Sequence, residues 1–230
     1  LESLGKEIFA PWVKITEDPH IRGALASSPF DEEGVATRRR ELVAGGVLNG
    51  YFLGSYSARK LGMRSTGNVG GNHNLILHDT GEDFAALLKK LHRGLLVTEL
   101  MGQGVNPVTG DYSRGAAGYW VEDGRIAYPV HEITIAGHLR EMLRGVVAVG
   151  ADAYTLGAKT VGSMLLERMK VAGSSPPDGH SLLFGLSSSF VALPEIAKDY
   201  PYDLARDFVS IGFVCEQPIA VAVPATLGVN

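Results

Sequence analysis

The strongest periodic pattern of apolar and polar residues lies in residues 80–94 and predicts an amphipathic helix. Its apolar residues recur at the three- and four-residue spacing that places side chains on one helix face. They are Phe84, Leu87, Leu88 and Leu91. We expect Thr80 to cap the N-terminus of this helix and Gly94 to end it, because these residue types are favoured at those positions.

Shorter helical patterns occur at three other places. Near the N-terminus, Leu4, Ile8 and Trp12 recur every four residues, which predicts a helix there. The spacing of apolar residues predicts two more short helices, in residues 55–61 and 138–144.

Two hairpins are predicted where a turn-forming dipeptide separates two β-forming runs. Gly45-Gly46 lies between residues 36–43 and 47–53, and Asp123-Gly124 lies between residues 117–122 and 125–130. Hairpins combined with isolated helices, without regular alternation of strand and helix, indicate an α+β fold with antiparallel sheets.

Residues 102–115 show no apolar periodicity and contain four glycines, so they predict a long ordered loop. Such loops are uncommon unless they have a function, and glycine lets the backbone approach a ligand closely. The candidate substrate-binding residues are Gly102, Gln103, Gly104, Asp111, Tyr112, Ser113 and Arg114. The alternative is that Asp111 and Arg114 form an ion pair that only holds the loop together. Gly102-Gln103-Gly104 matches just the start of a dinucleotide fingerprint, which disfavours nucleotide binding.

Three consecutive arginines, residues 38–40, lie in the first strand of the first hairpin. They suggest either an anion-binding patch or a solvated strand face. We favour the solvated face, with the arginines balanced by the acidic residues Asp31, Glu32 and Glu33.

Composition excludes several classes of function. The chain has 230 residues, 45% of them hydrophobic, and a formal net charge of -4, which disfavours sequence-independent nucleic-acid binding. Cys215 is the single cysteine, so neither an internal disulfide nor a metal site built from several thiolates can form. No run of about 18 apolar residues occurs, so we expect no membrane-spanning helix and a cytoplasmic location. The chain starts at Leu1 without a methionine and reads as a fragment.

An ordered series of motifs over residues 1–174 resembles the TldD/PmbA protease family, specifically its PmbA/TldE-type subunits. The longest motif includes Thr109-Gly110-Asp111-Tyr112-Ser113-Arg114-Gly115. The matching segments are residues 31–35, 55–62, 65–67, 97–105, 109–118, 120–122, 129–137, 162–166 and 169–173. The resemblance implies the C-terminal domain of such a subunit, without the family's N-terminal domain.

The resemblance also implies a function. In this family a TldD-like subunit carries a zinc metallopeptidase site, and a zinc-free PmbA/TldE-like subunit completes a heterodimer that degrades or processes small unfolded peptides. We therefore expect a TldD-like partner, peptide substrates, no cofactor in this chain, and no catalysis by this chain alone. An older family label implies the alternative of a DNA gyrase regulator.

The histidines agree with a chain that has no zinc site. None of the seven forms the pair, one helical turn apart, that catalytic zinc sites often use. His131-Glu132 begins like a zinc-protease motif, but Ile135 occupies the place of the second histidine, and the segment has a strand pattern. We therefore predict no catalytic and no metal-binding residue in this chain.

Residues 175–230 differ from the rest of the chain. They resemble part of the Bug/TctC-type receptors of tripartite tricarboxylate transporters, in Tyr200-Pro201-Tyr202-Asp203 among other stretches. The resemblance implies a partial α/β receptor lobe, and it raises the alternative of a carboxylate solute-binding module. Residues 174–179 have the composition of a linker, so we expect the tail to be loosely ordered and separable from residues 1–174.

Overall fold

The computed structural model describes residues 2–173 and the backbone of three further strands, at residues 183–186, 208–213 and 219–224. The helices are α1 (Ser55–Lys60), α2 (Phe84–Leu91) and α3 (Leu139–Arg144). The strands are β1 (Ile15–Glu17), β2 (Arg40–Ala44), β3 (Val47–Leu48), β4 (Leu75–Leu77), β5 (Gly94–Met101), β6 (Asp111–Glu122), β7 (Arg125–His138), β8 (Val146–Val149), β9 (Tyr154–Leu156), β10 (Lys159–Val161), β11 (Met164–Leu166), β12 (Lys170–Ala172), β13 (Leu183–Leu186), β14 (Phe208–Phe213) and β15 (Ile219–Pro224).

The chain divides into two units. The first contains Leu1–Leu87 and His138–Met169, and the second contains Leu88–Gly137 and Lys170–Asn230. Strand pairing is antiparallel in both units except between β4 and β10, which are parallel. The predicted α+β fold with antiparallel sheets is confirmed.

The first unit is built on a six-stranded sheet with the order β3-β2-β1-β4-β10-β9. The predicted Gly45-Gly46 hairpin joins β2 to β3, and both glycines have positive φ, as a type I′ turn requires. Strands β8 and β11 form a separate pair. A valine-rich cluster, composed of Ala10, Val13, Val43, Val146 and Val149, is the buried core of this unit.

The second unit contains a four-stranded antiparallel sheet with the order β12-β7-β6-β5. The predicted Asp123-Gly124 hairpin joins β6 to β7, and both turn residues have positive φ. Gly118 is required in β6 because a Cβ atom there would lie 1.9 Å from the carbonyl oxygen of Leu96 on β5. Strands β13, β15 and β14 form a three-stranded antiparallel sheet.

Two helix predictions need correction. The segment around Leu4, Ile8 and Trp12 forms turns, because the backbone N–H groups of Ile8 and Phe9 donate to the carbonyl oxygen of Gly46 instead of to a helical ladder. Long-range pairing with the β2–β3 turn therefore overrides the local spacing.

The main helix, α2, is shorter than predicted. Asp83 caps it, because its Oδ1 accepts a hydrogen bond from the backbone N–H of Ala86. Thr80 instead donates to the carbonyl oxygen of Val149. His92, with φ of 56°, follows the last helical residue, while Gly94 already belongs to β5. The two short helices in residues 55–61 and 138–144 are confirmed as α1 and α3.

Of the tail, residues 175–230, the structure describes only the backbone of three strands. The linker, residues 174–179, and most of residues 175–230 lie outside the described residues. The receptor-like resemblance of the tail and its loose order therefore stay predictions. In the part of the chain that the structure describes, no helix is both long and apolar enough to cross a membrane.

Candidate functional site at the end of the β5–β6 hairpin

The predicted loop is shorter than the sequence pattern indicated. Residues 102–110 connect β5 to β6, but residues 111–115 are already the first part of β6. Val105 forms a bridge with Tyr112, and the backbone N–H of Ser113 donates to the carbonyl oxygen of Gly104 at 2.7 Å. The segment is therefore the closed end of the β5–β6 hairpin. The sequence pattern did not indicate a strand here, because Asp111 and Ser113 are polar and this part of β6 has few apolar side chains.

Gly104 is required by this closure. A Cβ atom at position 104 would lie 1.4 Å from the carbonyl oxygen of Ser113, so any side chain would push the two segments apart. Gly102 has a φ of 71°, which glycine adopts readily, and no atom lies within 4 Å of where its Cβ would be. Gly104 therefore serves the hairpin itself, while Gly102 leaves open space beside the backbone.

Asn106 organises the tip of the hairpin and was missed by the sequence prediction. Its Oδ1 accepts hydrogen bonds from the backbone N–H groups of Val108 at 2.9 Å and Thr109 at 3.2 Å. Its own backbone N–H donates to the carbonyl oxygen of Asp111, and its carbonyl oxygen accepts from the backbone N–H of Gly110. The signal was present in the sequence, because asparagine before proline is typical of turn initiation.

The four polar candidates on β6 do not converge on one point. Successive side chains of a strand point to opposite faces, so Asp111 and Ser113 share one face while Tyr112 and Arg114 share the other. Asp111 and Ser113 are exposed, whereas Tyr112 and Arg114 are half-buried.

The alternative ion pair between Asp111 and Arg114 does not form. Asp111 Oδ2 accepts a hydrogen bond from Thr109 Oγ1 at 2.6 Å, and Arg114 Nη2 donates to the carbonyl oxygen of Leu100 at 3.5 Å. Each side chain therefore stabilises its own part of the hairpin.

Two buried polar atoms near this end of the hairpin lack a partner in the described residues: Glu99 Oε2 and Arg114 Nε. Burial raises the pKa of the Glu99 carboxyl. Glu99 lies opposite Ala117, on the sheet face opposite to that of Arg114. Buried groups of this kind are normally hydrogen-bonded. Glu99 was not among the predicted site residues.

Of the three consecutive arginines, Arg38 and Arg39 are exposed as expected, but Arg40 has a structural role that the sequence prediction missed. Arg40 is not solvated: its Nε donates at 2.8 Å to Oε2 of Glu17, which is only 1% exposed. Asn68 Nδ2 donates at 2.7 Å to Glu17 Oε1, and Arg40 Nη2 donates at 2.7 Å to Asn68 Oδ1. The backbone N–H of His73 also donates to Glu17 Oε1. This set, which we call the Glu17 network, has its carboxylate fully paired and offers no free group for catalysis.

The carboxylate of Asp31 bonds to backbone N–H groups and not to the arginines at positions 38–40. Burial alone would raise the pKa of its carboxyl, but hydrogen bonds from the backbone N–H groups of Val69, Val35 and Glu33 outweigh burial and lower it. These bonds are 2.9–3.0 Å long. Asp31 therefore braces two loops as an ionised side chain.

No metal site is formed by the described residues. Among them, no group of three or more His, Cys, Asp and Glu side chains lies close enough to hold a metal ion. His131-Glu132 lies within β7, as its strand pattern predicted, and not on the helix that a zinc-protease motif needs.

Comparison with known proteins identifies the family. The PmbA/TldA metallopeptidase C-terminal domain matches residues 1–173. The chain belongs to the PmbA/TldD metallopeptidase family. The metalloprotease PmbA of Escherichia coli O157:H7 is 56% identical over 173 residues, which are 75% of this chain and 38% of that protein. The PmbA homolog of Haemophilus influenzae is 52% identical over 175 residues, 76% of this chain and 39% of that protein.

Several solved structures share the fold. A Thermotoga maritima protein described as a modulator of a DNA gyrase has a TM-score of 0.68 and 39% identity, over 74% of this chain and 41% of that one. TldE from Thermococcus kodakarensis has a TM-score of 0.66 and 25% identity, over 74% of this chain and 42% of that one. The chain spans about two-fifths of the length of the curated relatives that it matches.

Although the family is one of metallopeptidases, residues 2–173 do not provide the ligands of a catalytic zinc ion. Three protein ligands with an open fourth position are the usual requirement.

Proposed function

We propose that this chain is the C-terminal part of a zinc-free, PmbA/TldE-type subunit of a cytoplasmic metalloprotease complex. A TldD-like subunit supplies the zinc site, and the complex degrades or processes small unfolded peptides. Family membership supports the reaction class, since the metalloprotease PmbA of Escherichia coli is 56% identical. The likeness to TldE of Thermococcus kodakarensis supports the subunit type.

We assign the zinc site to the partner subunit because the described residues of this chain form no metal-ligand group. A metallopeptidase needs a metal, yet residues 2–173 bring no three candidate ligands together. A partner subunit that holds the zinc ion reconciles the family with this chain.

In this proposal the end of the β5–β6 hairpin contacts the peptide. Arg114 Nη2, whose hydrogen bond to the carbonyl oxygen of Leu100 is long at 3.5 Å, can donate to a peptide carbonyl oxygen. The exposed candidates, including Gln103, Asp111 and Ser113, add further polar groups at the same end. Contacts to main-chain groups suit a protease that accepts unfolded peptides of different sequence.

The test is peptide cleavage by the full-length form of this subunit together with a TldD-like subunit. Arg114→Gln removes the guanidinium while keeping a polar side chain, and we expect it to raise the KM for the peptide without changing zinc content. Arg125→Gln, at the opposite end of the sheet, is the matched control and should leave KM unchanged. Equal effects of both variants, or cleavage by the isolated subunit, would contradict the proposal.

Regulation of DNA gyrase is not our proposal for this chain. Two solved relatives are described as modulators of DNA gyrase, but nothing beyond that description carries over. A net charge of -4 disfavours direct DNA contact. A carboxylate-binding module in residues 175–230 stays a prediction, and titration with citrate-class ligands tests it.

A further inference from the structure

Asn49 differs from the other asparagines in the part of the chain that the structure describes. It follows β3, its side chain is exposed, and its amide makes no hydrogen bond to any described residue. The other asparagines within residues 2–173 all hold their side-chain amide in a hydrogen bond: Asn68, Asn72, Asn74 and Asn106. Polar side chains that are bonded in this way have a fixed rotamer, whereas the amide of Asn49 is free to rotate.

The residue that follows Asn49 is glycine, and its backbone nitrogen is equally free. Within residues 2–173, the N–H of Gly50 donates to no acceptor. Glycine has no Cβ atom that would hinder an approach to its own nitrogen. The backbone N–H of Asn49 donates to the carbonyl oxygen of Leu42 at 2.8 Å, so the chain is held on the β3 side of this dipeptide. The Gly50 nitrogen can therefore meet the side-chain carbonyl carbon of Asn49.

Asp123-Gly124 is a chemically related dipeptide with the opposite arrangement. Its glycine N–H donates to the carbonyl oxygen of His92 at 2.8 Å. This hydrogen bond directs the Gly124 nitrogen away from the side chain of Asp123. The fold therefore restrains the nucleophile at Gly124 and leaves the one at Gly50 unrestrained.

We propose that Asn49-Gly50 is a site of spontaneous deamidation in the folded protein. The Gly50 nitrogen loses its proton to a solvent base and attacks the side-chain carbonyl carbon of Asn49. The new C–N bond closes a succinimide ring, and the bond to Nδ2 breaks with release of ammonia. Water then opens the ring at either carbonyl carbon and leaves aspartate or isoaspartate at position 49. One water is consumed and one ammonia is released, with no oxidant or cofactor, and the reaction does not depend on the proposed function.

The product would act on the Glu17 network through Arg40. Gly50 lies against this arginine, because a Cβ atom at position 50 would be 3.4 Å from Arg40 Nη1. The same nitrogen donates to the carbonyl oxygen of Tyr51 at 2.8 Å. Isoaspartate lengthens the main chain by a methylene group between Asn49, which is held by Leu42, and Tyr51, which is held by Arg40. We therefore expect isoaspartate to weaken the Arg40–Tyr51 hydrogen bond, whereas aspartate leaves the main chain unchanged.

The test is a time course of the full-length form of this subunit at mildly alkaline pH, followed by peptide mapping with mass spectrometry. The peptide that contains Asn49 should gain the mass of an amide-to-acid conversion and separate into two forms. A protein isoaspartate methyltransferase with labelled S-adenosylmethionine should methylate one of them. Peptides that contain Asn68, Asn72 and Asn74 should keep their mass. Asn49→Gln keeps an amide but needs a larger, less favourable ring, so it should lose both the mass change and the methylation.

The same time course in urea separates the effect of the fold from that of the dipeptide. Since no hydrogen bond has to open at Gly50, the ratio of the unfolded to the folded rate at Asn49 should be on the order of one. At Asp123-Gly124 the corresponding ratio for isoaspartate formation should be well above one, because the bond to His92 must open first. An Asn49 amide that persists in the folded subunit while it converts in urea, or equal protection of both dipeptides, would overturn the proposal.

Thermal unfolding tests the link to Arg40. Aged wild-type subunit that contains isoaspartate should have a lower Tm than fresh Asn49→Asp, which carries the same charge on an unchanged main chain. Asn49→Asp is therefore the matched control for charge alone. Equal Tm values for the aged protein and this variant would show that the longer main chain does not strain the Arg40–Tyr51 hydrogen bond, and would refute the link.

Discussion

Replacing Arg40 by alanine should strongly destabilise the first unit. The change leaves the carboxylate of Glu17, which is only 1% exposed, without its cation. Removing one partner of a buried ion pair typically costs 3–5 kcal/mol. Because Asn68 and the backbone of His73 still donate to Glu17, we expect the lower end, about 3 kcal/mol. For a unit of about 120 residues, that corresponds to a Tm lower by about 12 °C.

Arg39 provides the matched control. It is the neighbouring residue and pairs with Asp18 at 3.3 Å, but its side chain is 60% exposed. Exposed ion pairs contribute about 0–1 kcal/mol, so Arg39→Ala should shift the Tm by only about 0–4 °C. Both variants replace an ion-paired arginine by alanine, one residue apart. The difference between their Tm shifts therefore measures the effect of burying the ion pair.

Urea and thermal unfolding followed by tryptophan fluorescence would measure the effect. The chain has two tryptophans, and Trp12 lies in the first unit while Trp120 lies in the second. A Trp120→Phe background therefore makes Trp12 the reporter of the unit that holds Arg40. Equal shifts for Arg40→Ala and Arg39→Ala would refute the Glu17 network as a source of stability.

Three further predictions concern single residues. Gly104→Ala should open the hairpin end and raise hydrogen exchange in residues 102–114, whereas Gln103→Ala should not, because only position 104 faces the Ser113 carbonyl. The pKa of Asp31 is lower folded than unfolded, so its stabilisation is present above the unfolded pKa and lost as pH falls through the folded pKa. Asp31→Asn should therefore lower the Tm near neutral pH and have little effect in acid. The pKa of Glu99 is raised by burial, so ionisation opposes folding as pH rises above the unfolded pKa. Glu99→Gln should raise the Tm near neutral pH and leave it unchanged in acid, and a pH series of melting curves checks both signs.

Local turn chemistry made the hairpins predictable. Gly45-Gly46 and Asp123-Gly124 adopt the positive φ values that their turns need, and this preference belongs to the residues themselves. Helices α1 and α3 were also predictable, because the spacing of apolar residues that indicates a short helix is a local pattern. The turns around Leu4, Ile8 and Trp12 were not predictable, since the backbone N–H groups of Ile8 and Phe9 donate to Gly46, which lies far along the chain.

Long-range pairing also limited the prediction of the site. The closure between Gly104 and Ser113 depends on how two segments meet, so the sequence pattern indicated a loop where β6 already begins. In the same way, nothing next to Arg40 in the sequence indicates that Glu17 is its partner. The candidate residues were found through their types, but their division between two strand faces needed the register.

The zinc content of the chain alone and of its complex tests the central claim most directly. The full-length form of this subunit, a TldD-like subunit and their purified complex would each be analysed for metal and for peptide cleavage. We predict no stoichiometric zinc and no cleavage for this subunit alone, and one zinc per complex with cleavage that a chelator abolishes. One tightly bound zinc in this subunit alone, or chelator-sensitive cleavage without its partner, would contradict the account.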